Sequence, residues 1–354
     1  MAFVEILEKE IQALIMGIKN KAVVVRSTYH PVVKQYMDIL DSAFTGAGFN
    51  VRNVSPKDCV EKGSVVITDS PLVAIKYMLR GFKKHCVWYQ GIAPEESFMN
   101  NHSMFRFRIL SFIEKKVMQS ASLLFFVSDE MKRFYEKKYR LDLSRKSFIM
   151  PCFNELQIED RAFFDEKYTE NSFVYLGGLQ AWQCFEQTVR VYSVVEKRSG
   201  YKTRLLVFTE NREQAISLIK RYDVKNYEVD FVRPEELSER IRGIKYGFVL
   251  REDNPINNVA TPTKLSNYLS NGIIPIYSSA IKSFAEYDSE LNFGIVCDLN
   301  DIETGVENIL AHMQKNVTAC EIKDKCQTAF STYYNHRAYI ERISEKIIML
   351  GLNQ

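Results

Sequence analysis

Residues 250–275 read LREDNPINNVATPTKLSNYLSNGIIP and form the most informative stretch of the chain. A predicted strand ends at Leu250, and a loop rich in Asn, Asp and Pro follows it. A helix then opens at Thr263 and stops before Gly272, where an apolar strand resumes. Strand, polar loop, helix and strand in this order predict one unit of a parallel α/β sheet.

The same alternation extends outward in both directions. Predicted strands lie at residues 22–26, 51–54, 64–68, 86–89, 123–127 and 147–150, and again at 173–176, 204–208, 227–231, 246–250, 273–277 and 294–297. Such apolar strands, separated by helices, are typical of parallel sheets covered on both faces. A chain of 354 residues is also long enough for two cores. We therefore predict an α/β fold of two Rossmann-like domains that face each other across a cleft.

The domain boundaries follow from a change in composition after Pro151, where a polar, acidic stretch interrupts the alternation. We predict an N-terminal domain over residues 1–152, a linker over 153–171 and a second domain over 172–330. Residues 331–354 predict a terminal helix that is long enough to cross back to the first domain.

Composition excludes several classes of protein. The net charge of +3 does not indicate nucleic-acid binding. Seven cysteines without a CxxC pair fit a reducing cytoplasm and offer no metal spacing. No run of about 20 apolar residues is present to span a bilayer. The phosphate-binding G-x-G-x-x-G and Walker patterns are absent, which disfavours dehydrogenases and P-loop enzymes.

Two segments indicate surfaces for which the sequence leaves two roles open. Residues 3–18 place Phe and Ile/Leu side chains at helical spacing, so this amphipathic helix either packs on its domain or contacts a membrane or a second copy. Between Lys76 and Lys146 there are fifteen Lys or Arg and seven Asp or Glu. This excess is either a solvated helical face or a patch for anionic lipid or an anionic acceptor.

The junction before the helix of residues 263–270 is suited to an anion. Free backbone N–H groups at a helix start favour negative charge, and Thr263 and Lys264 add a hydroxyl and an ammonium donor. A diphosphate would fit this arrangement. The alternative is ordinary capping of the helix by Thr261 or Thr263, with Lys264 in solvent.

Pro262-Thr263-Lys264, Tyr268-Leu269, Gly272 and Ile274-Pro275 together resemble the P-x-K-x-x-E-Y-L-A-x-G-x-P signature of GT-B glycosyltransferases of family 4. Three further segments resemble the family in the same order along the chain: LFFVSD at 124–129, FIMPCFN at 148–154 and VYLGGLQAWQ at 174–183. The resemblance thus covers most of residues 120–300. It implies the twin-domain fold and a nucleotide-sugar donor in the second domain.

The resemblance also implies roles for single residues. The implied donor-binding residues are Gly177, Gly178, Asn258, Thr263, Lys264 and Asn267. Lys264 and Arg251 would hold the diphosphate and stabilise its charge as it departs. Trp182 is either core or a wall of the cleft. Asn267 departs from the signature, because the family has a carboxylate there that binds the ribose.

In the first domain, polar residues follow the predicted strands at their carboxyl ends. Gln90, Gly91 and Arg108 are candidate acceptor contacts. Glu95 is a candidate general base, although it equally suits the first turn of a helix. His30 is a candidate contact to donor or acceptor, or an ordinary loop histidine.

We therefore predict a glycosyltransferase of the retaining type that moves a sugar from a nucleoside-diphosphate-sugar to a glycan or lipid-linked acceptor in cell-surface polysaccharide synthesis. No cofactor, metal or nucleic acid is expected. The predicted location is cytoplasmic, with peripheral contact to an anionic inner membrane face. The alternatives are a catalytically weak pseudo-glycosyltransferase that serves a partner subunit, and a nucleotide-sugar epimerase.

Overall fold

The computed structural model describes residues 20–28 and 31–353. The predicted amphipathic helix at 3–18 and the candidate His30 therefore lie outside the described residues. The chain divides into two compact units. The first runs through Val127 and adds Lys132–Met150 and the residues from His336 onward; the second contains Ser128–Met131 and Pro151–Asn335.

Each unit contains a six-stranded sheet in which every pair of neighbouring strands is parallel. The strands are β1 (Lys21–Val25), β2 (Asn50–Val54), β3 (Val65–Thr68), β4 (His85–Tyr89), β5 (Leu123–Phe126), β6 (Ser147–Ile149), β7 (Asn171–Leu176), β8 (Thr203–Phe208), β9 (Tyr227–Asp230), β10 (Tyr246–Val249), β11 (Ile274–Tyr277) and β12 (Ile295–Val296). Their order is β2-β1-β3-β4-β5-β6 in the first unit and β12-β11-β10-β7-β8-β9 in the second. The predicted α/β class with two parallel sheets is confirmed.

Helices connect these strands and close the chain. They are α1 (Pro31–Gly46), α2 (Pro71–Leu79), α3 (Ala93–Asn101), α4 (Met104–Ser120), α5 (Asp129–Tyr139), α6 (Glu166–Thr169), α7 (Phe185–Arg198), α8 (Arg212–Arg221), α9 (Pro234–Ile241), α10 (Pro255–Val259), α11 (Lys264–Ser270), α12 (Lys282–Leu291), α13 (Ile302–Met313), α14 (Ala319–Ser331) and α15 (His336–Met349). Helix α15 packs on α1 in the first unit, where the Ser344 hydroxyl donates to the Ala43 carbonyl at 2.8 Å.

Local capping explains two helices that the sequence pattern does not predict. The loop after β10 contains α10, which begins after Asn254; the Asn254 side chain accepts from the Asn257 N–H at 3.1 Å, and Pro255 fixes the first helical position. Helix α14 begins with a capping box in which Thr318 and Glu321 bond to each other's backbone N–H groups.

Residues 151–170 belong to the second unit and are partly helical. The Tyr168 hydroxyl donates to the Gly272 carbonyl at 2.9 Å, and the buried Lys167 ammonium donates to the Ala162 carbonyl at 3.2 Å and to the Asn271 carbonyl. These bonds pair the carbonyls at the end of α11 with donors that are themselves removed from water. The segment therefore stabilises the helix that carries the signature residues.

Helix α11 approaches its sheet closely because β10 contains a glycine. A Cβ atom on Gly247 would lie 2.6 Å from the ring of Tyr268, so a larger residue would displace that ring. Tyr268 is fully buried, and its hydroxyl donates to the Phe248 carbonyl at 3.2 Å. This contact places the start of α11 near the carboxyl ends of β7 and β10, which are neighbours in the sheet.

Candidate functional site

The second sheet contains a point at which its strand order reverses. Going along the chain, β7, β8 and β9 extend the sheet in one direction, whereas β10, β11 and β12 extend it in the other. Strands β7 and β10 are paired at this reversal. Ligands of open parallel sheets bind beyond the carboxyl ends of such a strand pair. Gly177 and Gly178 follow β7, and Leu250 and Arg251 follow β10.

Arg251 and Lys264 meet at this point on one side chain, that of Gln183. The Gln183 Oε1 atom accepts from Arg251 Nη2 at 2.7 Å and from Lys264 Nζ at 3.0 Å. Arg251 Nη1 donates to the carbonyls of Gln183 at 3.1 Å and Leu250 at 2.8 Å. Lys264 Nζ also lies 4.6 Å from the ring centre of Tyr175. Two predicted catalytic residues are thus brought together.

The electrostatics of this pair are unfavourable without an anion. Arg251 is 4% exposed, and burial lowers its pKa. Burial, and next the charge of Arg251, hold the pKa of Lys264 well below its usual range. Among the described residues, neither cation forms an ion pair with a carboxylate. A bound anion would supply the missing negative charge.

The two glycines after β7 leave backbone next to these cations. Gly177 has a φ of 118°, in the region that favours glycine, and a Cβ atom there would lie 3.4 Å from Lys264 Nζ. The Gly178 carbonyl accepts from the Tyr175 hydroxyl at 2.7 Å, and the Gln180 side chain lies against the Gly178 Cα. The main chain at Gly177 therefore lies beside the Lys264 ammonium with no side chain between them.

Thr261 and Thr263 do not cap α11 with their side chains. Thr263 is the residue before the helix, and its hydroxyl makes no capping bond. The Thr261 hydroxyl instead accepts from the Cys152 N–H at 3.0 Å. Lys264 is partly buried rather than in solvent. The capping alternative is therefore wrong for these side chains.

Asn267 lies one turn along α11 from Lys264 and therefore on the same helix face. Its Nδ2 donates to Glu155 Oε1 at 2.8 Å, and its Oδ1 accepts from Asn154 Nδ2 at 3.1 Å. Burial raises the pKa of Glu155, whereas the hydrogen bond from Asn267 lowers it. A carboxylate thus stands beside the amide, although the signature position itself holds none. The sequence analysis did not identify Glu155.

Two other polar groups at this end of the unit are buried without a hydrogen-bond partner among the described residues. They are Oδ1 of Asn258, a predicted donor contact on α10, and Oδ1 of Asn154. Buried polar atoms of this kind are uncommon and are frequently satisfied by a ligand or by water. Their chemistry suits a ligand that donates hydrogen bonds, such as one with hydroxyl groups.

The predicted acceptor residues all lie in the first unit. Gln90 Nε2 donates to the Asp69 carbonyl at 3.0 Å, and the Gly91 carbonyl accepts from the Tyr135 hydroxyl at 2.9 Å. Glu95 lies in the first turn of α3, where Lys138 Nζ contacts its Oε1 at 2.8 Å. Arg108 lies on an exposed part of α4.

Asp69 is a candidate functional residue of the first unit that the sequence analysis did not identify. It follows β3 and is 1% exposed, and it accepts from the Ser27 N–H at 2.8 Å and the Ser27 hydroxyl at 2.7 Å. Ser27 lies just after β1, and β1 pairs with β3 where the order of the first sheet reverses. A polar pair directly after SVVIT was the signal that could have identified it.

Surface depressions also lie at the amino ends of the strands in both sheets, opposite the carboxyl ends described above. One, of about 760 Å³, is lined by Asn171, Thr203 and Tyr227 at the amino ends of β7, β8 and β9. Another, of about 510 Å³, is lined by Lys21 and Asn50 at the amino ends of β1 and β2. Because ligands of parallel sheets bind at the carboxyl ends, we assign no function to either depression.

Within residues 20–28 and 31–353, no three His, Cys, Asp or Glu side chains are grouped as metal ligands. Over the same part of the chain, no helix has both the length and the hydropathy needed to cross a bilayer. The absence of a cofactor stays a prediction.

Sequence comparison alone gives no relative: no protein-family model matches the chain, and no curated protein matches it. The fold, however, matches solved glycosyltransferase structures. Sucrose-phosphate synthase from Thermosynechococcus elongatus aligns with a TM-score of 0.72 at 13% identity, over 95% of this chain and 100% of that one. WaaG, a glycosyltransferase involved in lipopolysaccharide biosynthesis, aligns with 0.65 at 12%, over 91% and 99%.

A third match is a variant of S. aureus TarM in complex with fondaparinux, alpha-GlcNAc-glycerol and UDP. Its TM-score is 0.60 at 11% identity, over 82% of this chain and 55% of TarM, so this chain spans about half of TarM. These similarities confirm the predicted GT-B type of fold. Membership of family 4 stays a prediction.

Proposed function

We propose that this protein is a glycosyltransferase that binds a nucleoside-diphosphate-sugar at the carboxyl ends of β7 and β10. The observation that carries the proposal is the contact of Arg251 and Lys264 with one Gln183 oxygen, at the reversal of strand order. A diphosphate supplies the negative charge that two partly desolvated cations lack. The fold that this chain shares with solved glycosyltransferases supports the same proposal. The TarM structure contains UDP, so UDP is the nucleotide that we propose for the donor.

The pair acts on the charge that develops when the sugar leaves. Breaking the bond between the sugar and the diphosphate places negative charge on the phosphate oxygen. Arg251 is buried and Lys264 is partly buried, so both stabilise that charge in a partly desolvated setting, which strengthens the interaction. Gln183 accepts a hydrogen bond from each cation and so holds the two side by side.

The ribose of the donor fits beside Asn267. Lys264 and Asn267 share a helix face, so a ligand with its diphosphate on Lys264 places its next group near Asn267 and Glu155. The Glu155 carboxylate accepts hydrogen bonds from ribose hydroxyls more strongly than an amide oxygen does. Asn258, with its free Oδ1 in the described structure, adds a further acceptor.

The acceptor is a glycan or a lipid-linked glycan of cell-surface polysaccharide synthesis, bound by the first unit through Gln90, Gly91 and Arg108. Glu95 or His30 serves as the base for the attacking hydroxyl. The sugar keeps its anomeric configuration, and the protein works at the inner face of a membrane. This part of the proposal is supported by the signature resemblance and by the similarity in fold to WaaG, which is involved in lipopolysaccharide biosynthesis.

The test is release of nucleoside diphosphate from a panel of nucleotide-sugars, with and without glycan acceptors. Lys264→Met removes one cation, and Lys220→Met serves as a matched control because Lys220 is exposed on α8. We expect acceptor-dependent release that Lys264→Met abolishes and Lys220→Met preserves. NMR of the product reports the anomeric configuration.

Other outcomes contradict the proposal in distinct ways. Isomerised sugar without nucleotide release would indicate an epimerase. Tight nucleotide binding without turnover, together with capture of a catalytic subunit, would indicate a pseudo-glycosyltransferase.

A further inference from the structure

Helix α4 presents large apolar side chains to solvent rather than only to the core. Phe105 is 77% exposed, Ile109 is 44% exposed and Phe112 is 64% exposed. They are spaced four and three residues apart, so they form one stripe along the helix. A helix on the surface of a globular domain normally places polar side chains there. The sequence of α4 therefore has apolar residues on both its faces.

The exposed charged side chains of α4 are all positive. Arg106, Arg108 and Lys116 are exposed on α4, and Lys116 Nζ lies 5.7 Å from the ring centre of Phe112. The one acidic residue of the helix, Glu114, is 2% exposed and accepts from the Tyr139 hydroxyl at 2.6 Å. No carboxylate of α4 therefore reaches solvent. We call Phe105, Ile109, Phe112, Arg106, Arg108 and Lys116 the α4 face.

The neighbouring helix α2 repeats the pattern. It packs against α4 and carries Leu72, Lys76 and Leu79 at the same four-and-three spacing. Leu72 is 46% exposed and Leu79 is 82% exposed. Of the thirteen large apolar residues that are exposed in the described structure, six lie on these two helices. The exposure is thus concentrated in one part of the first unit.

We propose that the α4 face docks the first unit on a membrane surface that contains anionic lipid. Aromatic and aliphatic side chains enter the boundary between headgroups and acyl chains, while Arg and Lys contact anionic headgroups. A symmetric contact with a second copy would set these positive charges against each other, which disfavours self-association. The proposal names the surface that would hold this protein at a membrane. It rests on the proposed function only for the reason why the protein docks there, which is to reach a lipid-linked acceptor.

The test measures co-sedimentation of the full chain with vesicles of phosphatidylcholine, alone or mixed with phosphatidylglycerol. One variant combines Phe105→Ser and Phe112→Ser, and another combines Arg106→Gln and Lys116→Gln. The matched control combines Ile348→Ser and Met349→Ser on α15, whose side chains are 49% and 74% exposed. All of these residues belong to the first unit, whereas the site at β7 and β10 belongs to the second. Circular dichroism and thermal unfolding report whether each variant is folded, independently of nucleotide binding.

We expect selective binding to the anionic vesicles that weakens as salt is added. The serine variant should bind at least about tenfold more weakly, because two aromatic side chains no longer enter the membrane boundary. The glutamine variant should also bind at least about tenfold more weakly, because two basic side chains no longer contact anionic headgroups. The control should bind like the wild type.

Three results would overturn the proposal. The wild type could ignore anionic vesicles, or the α15 control could lose as much binding as the serine variant. Alternatively, light scattering could reveal a dimer that the serine variant dissociates, which would make the α4 face a protein interface. Because donor binding is measured separately, failure here leaves the nucleotide site untouched, and failure of that site leaves this result interpretable.

Discussion

Replacing Lys264 with methionine should stabilise the ligand-free protein while it weakens nucleotide binding. Lys264 Nζ and Arg251 Nη2 each lie within about 3 Å of Gln183 Oε1, so the two charges are within about 6 Å of each other. At an effective dielectric constant of about 20, two like charges at that distance repel by about 3 kcal/mol. Methionine removes this repulsion and the desolvation of the ammonium, and it preserves most of the side-chain volume.

The variant also loses favourable contacts, so the net gain is smaller. The hydrogen bond to Gln183 is worth about 1 kcal/mol and the contact with the Tyr175 ring about 0.5–1 kcal/mol. We expect the free energy of unfolding to rise by about 1–2 kcal/mol, which is a Tm increase of about 2–8 °C for a unit of this size. Loss of a charged hydrogen bond to phosphate should weaken UDP binding about 10- to 100-fold.

The assay is thermal unfolding with and without UDP, together with calorimetric titration. Lys220→Met controls for loss of an exposed lysine and should change neither quantity appreciably. The pKa of Lys264 is lower in the folded than in the unfolded chain, so its penalty applies below the unfolded value of about 10.4. The stability gain should therefore shrink as pH rises toward that value. A Lys264→Met variant that is less stable and binds UDP as well as the wild type would refute the reasoning.

Three further predictions concern the same site. Binding of a diphosphate should raise the depressed pKa of Lys264, so calorimetric titrations in buffers of different ionisation enthalpy should detect proton uptake. The affinity for the diphosphate should fall as pH rises through the depressed pKa. The Lys264→Met variant should take up no proton. Gly177→Ala should lower the free energy of unfolding by about 1–3 kcal/mol, because Gly177 has a positive φ. Gly243→Ala should leave the free energy of unfolding unchanged, because nothing lies near its Cβ position. Chemical denaturation measures both. Glu155→Gln should weaken UDP about tenfold or more but leave pyrophosphate binding unchanged in calorimetry, since only UDP carries a ribose; equal losses for both ligands would mean that Glu155 serves the fold instead.

The fold was predictable because each strand and helix is indicated by the pattern of the residues within it. Strands such as β1 and β5 are short apolar runs that lie between helical patterns, and the twelve strands of the described residues occur where the pattern predicts them. The placement of Arg251 just after β10 and of Lys264 at the start of α11 was predictable as well, because the pattern fixes both positions. Their role in donor binding stays a prediction. The contact between Arg251 and Lys264 was not predictable, since it depends on Gln183.

The missing parts of the site depend on residues that are distant in sequence. Gln183 is 81 residues from Lys264, in a short turn without periodicity, and Glu155 is 112 residues from Asn267. Nothing local distinguishes these two side chains from surface residues; only packing places them beside α11. The loss of a carboxylate at Asn267 therefore suggested a weak site, whereas the structure places the Glu155 carboxylate against that amide.

The central claim is that Arg251, Lys264 and Gln183 form the diphosphate site of a nucleotide-sugar donor. The measurement that tests it most directly is a crystal structure of the protein with UDP. We predict the diphosphate within hydrogen-bonding distance of Lys264 Nζ and the Arg251 guanidinium, with the ribose on the side of Asn267 and Glu155. UDP bound elsewhere on the chain, or a diphosphate that contacts neither cation, would contradict the account.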